Sequence, residues 1–208
     1  MRGNIEVAGM VFIQNTGRFE KMLLEDVYRN ADVVNSGKAL TTVNEFADQI
    51  PALRPQVLME VAQRSIRLMD LTATKIVTEE DKGAPLATAV SLLTGIPLAM
   101  ARWYPYSLGC LNEQVVDISS EYFDGKLYLN GIGRDDRVVI VDDTLSTGGT
   151  IVSLVDAVRA SGGEVVGVIC AVEKVGSGGM GEVFEKTGIL VKTIIKINVR
   201  AGGVEVID

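Results

Sequence analysis

Between Arg18 and Arg29 the apolar residues Phe19, Leu23, Leu24 and Val27 recur at helical spacing and predict a helix, while the looser alternation from Ile5 to Ile13 predicts an edge strand before it. Residues 31–55 are less regular and are punctuated by Pro51 and Pro55. Pro55 suits the first turn of a second helix carrying Val57, Leu58, Val61, Ile66, Leu68 and Met69. The period then changes. Thr74 to Thr78 reads as a short strand, Glu79 to Gly83 as a polar turn, Pro85 to Leu93 as a helix, and Ile96 to Ala101 as the next strand. Glu113 to Ser119 is a strand, Ser120 to Lys126 a loop or hairpin, and Lys126 to Asn130 a strand again. Four consecutive apolar residues, Val138 to Val141, predict a central strand buried on both faces that ends at Asp142. The turn Asp143 to Gly149 leads into a helix from Thr150 to Ser161, stopped by Gly162-Gly163. Glu164 to Val172 and Val191 to Ile197 are late strands, with a glycine-rich loop, Gly176 to Gly181, between them. Strands alternating with helices predict an α/β fold with a mostly parallel central sheet flanked by helices.

The chain has 208 residues, one domain by default, and its 47% hydrophobic content supports a packed core. A formal net charge of −7 without a basic run argues against a nucleic-acid partner. No stretch approaches the ~20 apolar residues that span a bilayer. The N-terminal residues lack a signal peptide's apolar core, so no membrane partner is expected and the chain reads as cytoplasmic. Cys110 and Cys170 are far apart and read as ordinary thiols. The chain contains no histidine, which removes His-based triads, His-ligated zinc and His general-base chemistry. Catalysis must draw on carboxylates, lysines, hydroxyls, backbone amides or a bound hard cation.

The run Val138 to Thr150 concentrates that chemistry: an apolar strand, the adjacent acids Asp142 and Asp143, then Thr144, Leu145, Ser146, Thr147, Gly148, Gly149 and Thr150 entering a helix. Gly148 and Gly149 let the backbone approach a ligand closely. Amides at the helix start have no intrahelical acceptor and, with the helix dipole, form an anion site. The hydroxyls can donate to phosphate oxygens. The acids suit a sugar diol instead. Together these features describe a cradle for a ribose 5-phosphate, placed beyond the carboxyl end of a strand. The lysine of a Walker loop is missing. A plain strand-to-helix turn capped by Asp143 or Thr144 is the bland alternative.

The whole run resembles the signature with which the type I phosphoribosyltransferases bind 5-phosphoribosyl-1-pyrophosphate (PRPP). The resemblance reaches over roughly residues 55–198 and is strongest toward archaeal purine enzymes of the adenine and hypoxanthine/guanine type, through Leu53-Arg54-Pro55, Leu92 to Leu98 and Lys126 to Gly131. It implies transfer of a phosphoribosyl group from PRPP to a purine base with release of pyrophosphate, Mg²⁺ as cofactor and a homodimer. It divides the chain into an N-terminal hood or interface region, 1–54, and a phosphoribosyltransferase core with C-terminal strands, 55–208. It implies that Asp142 and Asp143 hold the ribose hydroxyls, directly or through the metal, and that Thr144 to Thr150 hold the 5-phosphate. Glu80, Asp81, Lys82 and Gly83 would form the pyrophosphate loop, with Lys82 as its cation. Arg102 would reach the leaving group, and Lys174 would donate to a 6-oxo group on the base. Gly109 to Lys126 would form a hood over the reacting centre.

The sequence departs from the resemblance in two places. Trp103 and Pro105 follow Arg102 where relatives carry lysines, and Glu79, Glu80 and Asp81 crowd acids into the pyrophosphate loop. Trp103, Tyr104 and Tyr106 can stack on a base, line an interface or simply pack. These departures keep two alternatives open: a PRPP-binding regulator without catalysis, and a phosphoribosyltransferase for another base such as orotate or uracil.

Overall fold

The computed structural model describes residues 6–7, 10–11, 22–37, 39–106, 113–119 and 124–207. In chain order these carry β1 (Glu6–Val7), β2 (Met10–Val11), α1 (Leu23–Arg29), β3 (Asp32–Asn35), β4 (Leu40–Val43), α2 (Pro55–Leu68), β5 (Lys75–Glu79), α3 (Ala84–Thr94), β6 (Leu98–Ala101), β7 (Gln114–Ser119), β8 (Asp124–Leu129), β9 (Arg137–Leu145), α4 (Gly149–Ala160), β10 (Glu164–Lys174), α5 (Gly179–Thr187), β11 (Val191–Arg200) and β12 (Gly203–Ile207). The expected chemistry of Cys110 and the tip of the expected hood lie outside the described residues.

The central sheet runs β12-β11-β10-β9-β5-β6. Its strands are parallel except for β12, which returns antiparallel along β11. The predicted architecture is therefore the observed one. Val138, Val139, Ile140 and Val141 are fully buried, as a central strand covered on both faces requires. Burying each such side chain contributes about 1.5–3 kcal/mol. Alternation splits them between two apolar clusters: Val139 and Val141 pack with α1, α2 and α3, and Val138 and Ile140 with α4 and the β7–β8 hairpin.

Three elements differ from the sequence reading. β9 does not stop at Asp142 but continues to Leu145, because the longer neighbour β10 supplies partners there, Val172 for Thr144 and Glu173 for Leu145. Asp143 therefore joins Asp142 in the sheet and does not lie in the turn. The glycine-rich loop ends early, and Gly179 opens α5, where Val183 and Thr187 bury one face one turn apart. Residues 31–55, read as irregular, contain the β3–β4 hairpin. Leu24, Val27, Tyr28 and Phe46 join the same cluster as α2 and α3, so this part of the N-terminal region is packed into the core.

Candidate active site

A cavity of about 330 Å³ opens at the carboxyl ends of β5, β9 and β10. Its lining takes Glu79 from the end of β5, Asp81 and Lys82 from the β5–α3 connection, every residue from Asp142 to Ile151, Lys174 from the end of β10, Trp103, and Thr41, Thr42 and Ala47 from the N-terminal region. The structure thus brings together all of the proposed ribose and phosphate residues with Asp81, Lys82 and Lys174.

The acids are buried, Asp142 3% and Asp143 6% exposed. Strand alternation sends them off β9 on opposite faces. Asp142 Oδ1 accepts the Asp143 N–H at 3.0 Å, and Asp143 Oδ2 accepts the Thr144 hydroxyl at 2.8 Å. Burial pushes the Asp142 carboxyl well above the usual carboxylate range, and the charges of Asp143 and Glu79 add to it. Burial also raises Asp143, against the opposing pull of the Thr144 hydroxyl and the Lys82 ammonium. Such a site is short of positive charge and suits donors: sugar hydroxyls or a hard cation.

The turn between β9 and α4 is shaped by close backbone approaches at two glycines. Gly148 has φ +87°, and a Cβ there would lie 2.9 Å from the Gly179 carbonyl oxygen. A Cβ on Gly179 would lie 2.1 Å from the Ser146 carbonyl oxygen. The start of α5 is therefore pressed against the loop, a contact the sequence reading did not anticipate. α4 begins at Gly149 with no side-chain cap, which leaves its first amides directed at the cavity end of the helix.

The crowded acids of the β5–α3 connection resolve into separate tasks. Glu79 is 5% exposed, and its carboxylate accepts the N–H groups of Asp81 at 2.8 Å and Gly83 at 3.0 Å. Burial raises it above the usual range. Glu80 accepts the Trp103 N–H at 2.7 Å. Asp81 alone of the three is left to line the cavity without such a backbone duty among the bonds described. Gly83 does not line the cavity, but it permits its wall: a Cβ there would sit 2.3 Å from both Asp142 Oδ1 and Thr78 Oγ1.

Arg102 is placed differently from the other candidates. It is 7% exposed and does not line the cavity. Its guanidinium is ion-paired to Glu113 and lies 3.5 Å from the centre of the Tyr106 ring. Its backbone bridges to Tyr128 on β8. It ties the end of β6 to the base of the β7–β8 hairpin. Tyr106 thus caps Arg102, while Tyr104 packs edge-on against Tyr106 with centroids 5.9 Å apart.

Several site residues were not legible in the sequence. Asp48 reaches Lys82 from the N-terminal region at 2.7 Å. Thr41 and Thr42 enter the lining from β4. Tyr28 of α1 is fully buried beside Asp143, Thr144 and Asn44, and burial pushes its phenol well up, with the Asp143 charge adding. Tyr28 lies on α1, Thr41 and Thr42 on β4 and Asp48 in the turn that follows it, and only long-range packing brings them here.

Residues 47–203 match the family model of the phosphoribosyl transferase domain. Over 187 residues the chain is 41% identical to the hypoxanthine/guanine phosphoribosyltransferase of Methanocaldococcus jannaschii, covering 89% of this chain and 100% of that one. Over 186 residues it is 38% identical to the protein of the same name from Methanococcus maripaludis, covering 89% and 98%. Among solved structures it resembles the adenine phosphoribosyltransferase of Thermoanaerobacter pseudethanolicus, with a TM-score of 0.69 at 22% identity over 83% of this chain and 99% of that one. It likewise resembles the Trypanosoma brucei adenine phosphoribosyltransferase bound to AMP, pyrophosphate and ribose-5-phosphate, with a TM-score of 0.70 at 16% identity over 87% and 82%. At these identities the structural likeness speaks for the fold.

Proposed function

The chain belongs to the phosphoribosyl transferase domain family, and from that premise we propose that it is a purine phosphoribosyltransferase, joining a purine base to PRPP to give a nucleoside 5′-monophosphate and pyrophosphate. The observation that carries this reading is the single cavity in which the acid pair, the uncapped start of α4 and the two lysines meet. Its base is a 6-oxopurine, a choice supported by relatives that carry the hypoxanthine/guanine name at 38% and 41% identity.

Thr144 to Thr150 surround the 5-phosphate with hydroxyls and helix-start amides. Asp142 and Asp143 accept hydrogen bonds from the ribose hydroxyls, which fixes the ring as positive charge builds at the anomeric carbon. Lys82 supplies an ammonium to the pyrophosphate side of the cavity, and Lys174 donates to the 6-oxo group of the base. A role for Arg102 at the leaving group would require its release from Glu113; otherwise it acts as the anchor of the β7–β8 hairpin. The described residues contain no cluster of three or more His, Cys, Asp or Glu side chains able to cage a metal. Two buried acids nonetheless fit Mg²⁺, an ion that keeps water and substrate oxygens in its shell, so Asp142 and Asp143 would hold it. When bound, Mg²⁺ neutralises charge on the leaving pyrophosphate. The protein is expected to act in the cytoplasm as a homodimer.

The test is pyrophosphate release from PRPP and Mg²⁺ with hypoxanthine, guanine, xanthine, adenine, uracil and orotate offered singly. Turnover with hypoxanthine or guanine and little with adenine supports the reading. Turnover only with a pyrimidine, or PRPP binding without release for any base, refutes it.

A further inference from the structure

The N-terminal region sets a charge against one of the residues that line the cavity. Asp48 Oδ1 accepts from the Lys82 ammonium at 2.7 Å, with side chains 16% and 31% exposed. The two partners are not equally constrained. Asp48 Oδ2 accepts the Asn44 N–H at 3.0 Å, and the Asp48 N–H donates to the Asn44 carbonyl at 3.0 Å. Asn44 Oδ1 in turn accepts the N–H groups of Phe46 and Ala47 at 2.9 and 3.0 Å. Phe46 and Ala47 are 2% and 6% exposed, and Glu45 clamps the Arg54 guanidinium at 2.9 Å on the far side of the turn. The carboxylate is therefore fixed to the core, whereas a lysine ends a flexible four-carbon stem.

The acids that line the cavity are Glu79, Asp81, Asp142 and Asp143, while Asp48 stands outside the lining and meets it through Lys82. A lysine left to these would settle on the ribose acids and occupy the acceptors that the sugar needs. An ammonium carries three donors, so a bond to Asp48 does not by itself exhaust it. We propose that Asp48 is a positioning residue that anchors the Lys82 ammonium where it can meet the pyrophosphate group instead of settling fully on Asp142 and Asp143. This rests on the phosphoribosyltransferase reading and extends it by giving the N-terminal region a part in PRPP binding.

The experiment compares wild type, Asp48→Asn, Asp48→Glu, Lys82→Met and the double variant Asp48→Asn/Lys82→Met. Asparagine keeps an acceptor for the Asn44 N–H, so the turn is preserved. KM for PRPP and for the purine is measured separately, and binding of PRPP with Mg²⁺ and of inorganic pyrophosphate by calorimetry. Asp48→Asn is expected to raise the PRPP KM and the pyrophosphate Kd about tenfold, the size of one charge-assisted hydrogen bond. The purine KM stays within about twofold, and Asp48→Glu recovers part of the loss. In the Lys82→Met background Asp48→Asn adds nothing further, because the effect runs through the lysine. An unchanged PRPP KM, an additive effect in the double variant, or an equal loss for both substrates overturns the proposal. Wild type that fails to bind PRPP at all overturns the reading of the whole site instead, and the two failures are distinct.

Discussion

Replacing Asp142 with asparagine tests whether the acid pair is kept for its ligand at a cost to the fold. The side chain is 3% exposed and faces the charges of Asp143 and Glu79. Asparagine is nearly isosteric, and its Oδ1 can still accept the Asp143 N–H, so packing and that bond survive. What disappears is a buried charge repelled by its neighbours, a change of the kind that stabilises by about 0.5–2 kcal/mol when an active-site group is neutralised. In a protein of this size that is about 1–8 °C in Tm. The gain must depend on pH in one direction. Burial lifts the folded-state carboxyl above its unfolded value, so its contribution to stability is whole below the ordinary carboxylate range and is lost as pH rises through the raised value. Wild type and variant should therefore melt alike near about pH 4 and diverge toward about pH 8, the variant being the more stable. The same substitution removes a charged acceptor for the sugar, worth about 1.5–3 kcal/mol, or about 10- to 150-fold in kcat/KM for PRPP. Differential scanning fluorimetry across pH, with PRPP titrations at neutral pH, reads both halves. A variant that melts below wild type at pH 8, or that binds PRPP normally, refutes the reasoning.

Three other outcomes follow from the geometry. Gly83→Ala places a Cβ against Asp142 Oδ1 and Thr78 Oγ1, and should lower stability by about 1–3 kcal/mol and weaken PRPP binding, as urea melts and calorimetry would show. Gly179→Ala drives a Cβ into the Ser146 carbonyl, so the PRPP KM should rise severalfold while the purine KM holds, in steady-state kinetics with each substrate varied. Arg102→Met removes the cation from the part-buried Glu113 carboxylate, to which the Asn130 amide still donates at 3.2 Å, and should cost about 1–3 kcal/mol in chemical denaturation, with part recovered in Arg102→Met/Glu113→Leu; an undiminished stability would count against Arg102 as the anchor of the hairpin.

The run Val138 to Thr150 was legible as a unit in the sequence, because strand, acids, hydroxyls and glycines are local in the chain, and the fold gathers Asp142 to Thr150 around one cavity. The parallel sheet was equally legible, since buried strands and the helices between them impose distinct apolar periods. Other features were hidden for identifiable reasons. α5 begins in glycines that read as loop, and its helical signal is confined to Val183 and Thr187 with the Glu182–Lys186 pair. β12 needs the edge of β11 to be a strand at all. The length of β9 was set by β10, which moved Asp143 and Thr144 from turn to sheet.

The sequence by itself thus determined the strand-to-helix run from Val138 to Thr150 and the layers, because those depend on neighbours along the chain. Tertiary structure alone decided which charges face one another: that Glu79 is spent on loop amides, that Arg102 is held by Glu113, and that Asp48, 34 residues away, meets Lys82. Electrostatic partners are chosen by distance in space, and an ammonium or carboxylate carries no mark in the chain of the partner that folding will bring to it.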